Sequence, residues 1–196
     1  DGWLHSGDAG LINKDGHLVV IDRLSDVMHN HDGKMFSPMF LENKLKFSPY
    51  IKEAVILGNK KEYVATMINV DPLVVGKWAE DRGISFSTYM DLSQKDQVEE
   101  LMFKQVIEFN KNVEKEHHRI NRFVVLYKLL DMDDGELTKT GKIRRDFVQK
   151  KYKDLIDALF DETITEKEVE AFFQYQDGQS TTVKTKIRFY TMNEGV

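Results

Sequence analysis

The chain has 196 residues, 28 Lys+Arg against 33 Asp+Glu, a net charge of −5, 41% hydrophobic residues and no Cys. Length and composition fit one folded domain, or one domain with an appendage. The missing Cys excludes disulfides, a thiol nucleophile and a Cys-based zinc site, and fits a reducing compartment. The acidic balance argues against a nucleic-acid partner. No apolar run approaches the ~18 residues of a membrane span, so no transmembrane segment is expected. The chain opens Asp1-Gly2-Trp3 without an initiator Met or a signal-peptide pattern, which suggests the C-terminal piece of something longer.

Asn13-Lys14-Asp15-Gly16 carries an Asp-Gly turn signal between Gly10-Leu11-Ile12 and the β-rich run His17–Asp22, so a hairpin is expected. Asp26–His29 reads as a short strand and Asn30–Lys34 as a loop. A helix should start at Ser37-Pro38, because Ser can cap free N–H groups and Pro suits the first helical position. Glu53–Leu57 and Tyr63–Val70 read as a second hairpin around Gly58–Glu62. Residues 73–82 look helical and 84–93 look like loop. A long helix is expected over about 94–117, from the apolar stripe Val98, Met102, Val106, Phe109 and Val113, with Glu100 and Lys104 as an ion pair.

Phe123–Tyr127 reads as a strand, Asp131–Gly135 as an acidic turn, and Ile143–Phe160 as a helix. Asp177-Gly178 marks a third hairpin between Phe172–Tyr175 and Thr181–Tyr190. Within it Val183, Thr185, Ile187 and Phe189 share one face, and Lys184, Lys186 and Arg188 the other. Residues 139–153 hold seven Lys/Arg and one Asp, and 157–170 hold six acids and one Lys. Both runs are read as solvated helical surface.

Thr138-Lys139-Thr140-Gly141-Lys142-Ile143 is not a P-loop. Five residues separate Gly135 from Gly141, and Ile143 follows the Lys. What survives is a Gly-preceded Lys at a helix start, a compact charge on a long stem that can reach an anion. On local chemistry alone a plain surface Lys is the simpler reading. His29-x-His31-Asp32 lacks a further ligand at recognisable spacing, so no metal site is assigned. His117-His118 is read as ending the long helix, where such groups suit the dipole. Ser6-Gly7-Asp8 puts a carboxylate on a Gly turn, and Arg23 ends the following strand. A carboxylate can accept from two ribose hydroxyls, and an Arg can hold a sugar or phosphate oxygen.

Three segments in this order resemble the AMP-forming acyl-CoA synthetases of the adenylate-forming superfamily, most of all the long-chain fatty-acid–CoA ligases. The first is Gly2-Trp3-Leu4-His5-Ser6-Gly7-Asp8, with Ser6 where Thr is usual. The second is Ile21-Asp22-Arg23-Leu24-Ser25-Asp26, continuing through Gly33–Pro38 to Glu42. The third is Leu137–Arg145, around Lys142. The resemblance implies an α+β fold: a small mobile lid with a mixed β-sheet and flanking helices, preceded by a β-hairpin left from a large N-terminal domain. Residues 1–24 would end that large domain. Residues 25–196 would form the lid, with a helical insertion at about 73–118 and a C-terminal hairpin at about 171–190.

The resemblance also implies site roles. Asp8 would bind the ribose hydroxyls of ATP or AMP, and Arg23 the ribose or a nearby phosphate. Ser25, where Asp or Lys is usual, would be the hinge. Gly33 would sit on the loop that enters from the CoA side, Lys142 would be the adenylation Lys, and Glu42 would support the lid. ATP and Mg²⁺, bound mainly by the N-terminal domain, and CoA as co-substrate are implied. The partners are the fatty acid, CoA and the protein's own N-terminal domain, with a homodimer left open. The setting is cytoplasmic, with peripheral membrane attachment as an alternative. Two rival readings stay open: an acyl-AMP ligase serving a carrier protein, and a non-catalytic interaction module with the lid fold.

Overall fold

The computed structural model describes residues 2, 5–174 and 180–192. Trp3 and Leu4 of the first motif and the Asp177-Gly178 turn lie outside the described residues. β1 (Asp8–Ile12) and β2 (Leu18–Arg23) form the expected antiparallel hairpin as a sheet of their own. Asn13 Oδ1 closes its turn by accepting from the N–H groups of Asp15 and His17 at 3.0 and 2.8 Å. Ile12, Leu18 and Val20 are exposed on this hairpin, at 73%, 70% and 60%. After a turn at 24–26, β3 (Met28–His29) pairs with β4 (Met35–Phe36). α1 (Pro38–Leu45) starts as expected: Ser37 Oγ accepts from Phe40 N–H at 3.0 Å, and Pro38 opens the first turn.

β5 (Ile51–Leu57) and β6 (Val64–Val70) form the second hairpin. α2 (Pro72–Glu80) is capped by Asp71. The segment expected as loop contains a helix, α3 (Tyr89–Ser93). Thr88 Oγ1 caps it by accepting from Asp91 N–H at 3.1 Å, a Thr-x-x-Asp signal within a polar stretch. α4 (Asp96–Lys111) is shorter than the expected 94–117, although the Glu100–Lys104 pair forms at 2.7 Å. Asn110 ends it: its side-chain amide donates to Ile120 O and accepts from Ile120 N–H, both at 2.8 Å. The chain is thereby drawn from helix to strand through a 3-10 turn at Glu116–His118.

β7 (Ile120–Val125) runs parallel to β6. The expected helix over 143–160 is two helices, α5 (Arg145–Lys151) and α6 (Lys153–Leu159), bent at Tyr152. Backbone bonds Tyr152 N–H to Val148 O and Ile156 N–H to Tyr152 O span the bend. β8 (Glu166–Gln174) and β9 (Ser180–Thr191) complete a mixed sheet ordered β5-β6-β7-β9-β8. The third hairpin is therefore built into the sheet. The second half of the acidic run is strand and not helix surface. Glu166, Glu168 and Glu170 face Arg188, Lys186 and Lys184 in register, with Lys186–Glu166 at 2.7 Å and Lys184–Glu168 at 3.3 Å.

Strand alternation divides the core into two faces. Ala54, Ile56, Ile68 and Phe123 pack with Leu41, Leu45, Val75, Val98 and Met102 of α1, α2 and α4. Val55, Leu57, Met67 and Val124 pack with Val148, Leu155 and Leu159 of α5 and α6. The result is an α+β domain of three layers. β6 is buried at every position, as a strand covered on both sides should be. Among the described residues no helix is long and apolar enough to cross a membrane.

Candidate functional site

Lys142 stands on one arm of a tight hairpin rather than at the helix start. Leu137 and Ile143 form a β-bridge. Inside it Thr138 N–H donates to Lys142 O at 2.8 Å, Gly141 N–H to Thr138 O at 2.9 Å, and Lys142 N–H to Thr138 Oγ1 at 3.1 Å. Gly141 sits at φ +76°, a left-handed conformation that suits glycine and turns the chain just before the Lys.

Two buried carboxylates fix this arm. Glu136, fully buried, accepts from Tyr152 Oη–H at 2.7 Å and Asp131 N–H at 2.8 Å, and pairs with Lys151 at 2.9 Å. Glu42 of α1, 4% exposed, pairs with Arg145 at 2.8 Å and accepts from Ile56 N–H at 2.8 Å. Burial pushes the Glu42 carboxyl upward, and Arg145 draws it back down.

On the first hairpin Asp8 and Arg23 are cross-strand partners, and their side chains meet at 3.1 Å. Arg23 also donates to Ser6 O at 3.2 Å. Both side chains remain solvent-accessible, so both can engage a ligand. Beyond Arg23, the N–H groups of Asp26 and Val27 return to Arg23 O at 2.9 and 3.2 Å. Ser25 lies in this turn with its hydroxyl on Asp26 Oδ1 at 2.9 Å.

One cleft of about 760 Å³ is lined by Asp8, Arg23, Ser25, Glu42, Lys142 and Arg145, among others. It brings together residues from the hairpin, the turn, α1 and the Lys arm. Gly33 does not line it. That glycine lies in the Asn30–Lys34 turn at φ +76°, with open space where a Cβ would point. The motifs include Arg145 and the buried Asp22 but assign them no role, and the pairing of Arg145 with Glu42 joins positions 103 residues apart. His117 and His118 follow α4 instead of ending it, and each ring Nε2 lies near Met35 O, at 3.2 and 3.3 Å. Among the described residues no group of three or more His, Asp or Glu could hold a metal ion.

Residues 25–164 match the family model of the AMP-binding enzyme C-terminal domain. The chain belongs to this family. It is 30% identical over 177 residues to the long-chain-fatty-acid–CoA ligase ACSBG2 of Gallus gallus, covering 82% of this chain and 23% of that protein. It is also 30% identical over 165 residues to the long-chain-fatty-acid–CoA ligase FadD15 of Mycobacterium tuberculosis, covering 82% of this chain and 27% of that one. The chain thus spans about a quarter of the length of these relatives. Its fold resembles the adenylation domain of a carboxylate reductase from Mycobacterium chelonae, with TM-score 0.63, 19% identity, and coverage of 79% of this chain and 22% of that one. The chain therefore contains an AMP-binding enzyme C-terminal domain, and its mixed sheet with flanking helices resembles the fold found in that adenylation domain.

Proposed function

We propose that this chain is the lid of a fatty-acid–CoA ligase, with residues 1–24 ending the large domain and residues 25–196 rotating about Ser25. The observation that carries this reading is the shared cleft: Lys142 lines the same cavity as Asp8 and Arg23. A Lys that shares a cleft with a carboxylate–guanidinium pair offers the charges that a nucleotide and an acyl carboxylate require. The exposed apolar side chains of β1 and β2 suit a surface covered by a neighbouring domain.

In the first half-reaction a fatty-acid carboxylate oxygen attacks the α-phosphorus of ATP, and the bond to pyrophosphate breaks. Two anions must approach, and charge builds on the phosphate oxygens. Lys142 offsets that charge and positions both groups. Asp8 accepts from the ribose hydroxyls, and Arg23 holds the ribose or a phosphate oxygen. The fit is chemical: an accessible acceptor and an accessible fork of donors lie side by side. In the second half-reaction the CoA thiol attacks the acyl carbon, and AMP leaves. Lys142 is then withdrawn as the lid turns, and the Gly33 loop lines the thiol's path. Mg²⁺ accompanies ATP. The described residues offer it no ligand set, and it belongs with the large domain.

The test is Lys142→Ala in the full-length ligase, with each half-reaction measured alone. ATP–pyrophosphate exchange should fall on the order of a hundredfold or more, as when one main electrostatic contact is lost. Thioester formation from premade acyl-adenylate should change little. Equal loss of both half-reactions would overturn the role given to Lys142. Residues 1–196 alone should show no exchange. Dependence of product formation on CoA, against a carrier protein, tests the acceptor.

A further inference from the structure

Asp22 and Ser37 hold each other across the 24–26 turn. Ser37 Oγ–H donates to Asp22 Oδ2 at 2.5 Å, and both residues are buried, at 3% and 6% exposure. Asp22 lies on β2, before the turn. Ser37 caps α1, after it. The Ser37 oxygen already accepts from Phe40 N–H, so its single hydrogen is free for the carboxylate. The other Asp22 oxygen accepts from Arg23 N–H at 2.8 Å. α1 in turn carries Glu42, which holds Arg145 and with it the arm of Lys142. A continuous set of contacts therefore runs from the hairpin that bears Asp8 and Arg23 to the arm that bears Lys142.

We infer that Asp22 and Ser37 are positioning residues whose hydrogen bond holds Lys142 in the cleft with Asp8 and Arg23. The inference rests on the proposed function. A rotation about Ser25 carries Ser37 with the lid and leaves Asp22 on the hairpin, so the bond opens when the lid turns for thioester formation. Its strength biases the lid toward the adenylate-forming arrangement. The acid–hydroxyl pair touches no substrate and acts only through the placement of Lys142.

The two half-reactions separate this role from a structural one. Ser37→Asp keeps an oxygen that can cap Phe40 N–H, but removes the donor and sets a like charge against Asp22. In the full-length ligase S37D should slow ATP–pyrophosphate exchange on the order of tenfold, the factor a charge-assisted hydrogen bond carries. Thioester formation from premade acyl-adenylate should stay within about twofold or rise, because that step uses the opened arrangement. Ser37→Thr keeps the hydroxyl and should retain exchange. The double variant D22N/S37D returns a donor to one side and an acceptor to the other, and should recover part of the lost exchange. S37D slowing both half-reactions equally, or neither, while Lys142→Ala still abolishes exchange, would overturn this role and leave that of Lys142 standing. If Lys142→Ala spares exchange, the proposed function fails, and this inference with it.

Discussion

Glu42 and Arg145 meet at 2.8 Å and tie α1 to the residue that opens α5, just past Lys142. Arg145 also donates to Ile56 O at 3.0 Å, while Glu42 accepts from Ile56 N–H. One strand residue is therefore gripped from both sides. Glu42→Ala would leave a mostly buried guanidinium and a buried N–H without their acceptor. Breaking a buried pair from one side costs about 3–5 kcal/mol, and the partial exposure of Arg145 places this pair at the lower end. Urea denaturation of the chain should show that loss. An unchanged midpoint would count against the pairing.

Gly141→Ala should act locally. A Cβ there meets nothing within 4 Å, so the penalty is the left-handed backbone alone. That amounts to about 1 kcal/mol. Adenylation should suffer more than stability does, because the arm it deforms carries Lys142. Denaturation of the chain carrying Gly141→Ala, and pyrophosphate exchange by the full-length ligase carrying it, give the two results to compare.

Arg122 fastens β7 to the end of α6. The residue is 1% exposed, and its guanidinium donates to the carbonyls of Leu159, Asp161 and Ile164 at 3.0, 2.7 and 2.7 Å. Leu159 O belongs to the last turn of α6, which leaves carbonyls without helical partners, and Asp161 O and Ile164 O belong to the turn that follows it. Lys has no planar fork to reach them together. Arg122→Lys should cost about 1–3 kcal/mol, chiefly through the buried Leu159 carbonyl and the part-buried Ile164 carbonyl, which a single ammonium cannot serve together. The urea midpoint reports this, and a change within error would refute it.

Glu99 should make stability depend on pH. It is 1% exposed, pairs with Arg188 and accepts from Tyr190 Oη–H at 2.6 Å, while its Oε1 has no partner. Burial pushes its carboxyl up to about 7, against the pull of Tyr190 and Arg188. The unfolded group titrates near 4.5, so its stabilisation is complete below that pH and is lost as pH rises toward 7. Glu99→Gln removes the titration. The stability difference, wild type minus variant, should therefore shrink between pH 5 and pH 8. A difference that stays constant or grows would contradict this.

Much of this was legible in the residues. Ser37-Pro38 announced α1, Asp15-Gly16 its hairpin, and the alternation at Val183–Phe189 a strand, because each signal is local. The Thr88–Asp91 cap was equally local, but five helical residues in a polar stretch leave little periodicity to read. The end of α4 was misplaced because Val113 continues the apolar stripe and is buried, yet Asn110 has already turned the chain toward Ile120. The acids at 166–170 resemble a charged helix face until their register with Lys184–Arg188 is seen. The motifs marked Asp8, Arg23 and Lys142. That they line one cleft, and that Glu42, Arg145 and Asp22 brace it, depends on pairings between distant parts of the chain.

The strand order has a consequence for synthesis on the ribosome. β9 lies between β7 and β8, and β8 reaches the sheet through β9. When β7 and β8 have emerged, the strand they share has not. β7 then shows an open edge of buried-type residues beside an unattached, highly charged β8. The sheet closes only when residues 180–191 arrive and slide between them. A nascent chain halted before Ser180 would be a template for wrong pairing, and holdase chaperones should favour that intermediate over the finished domain.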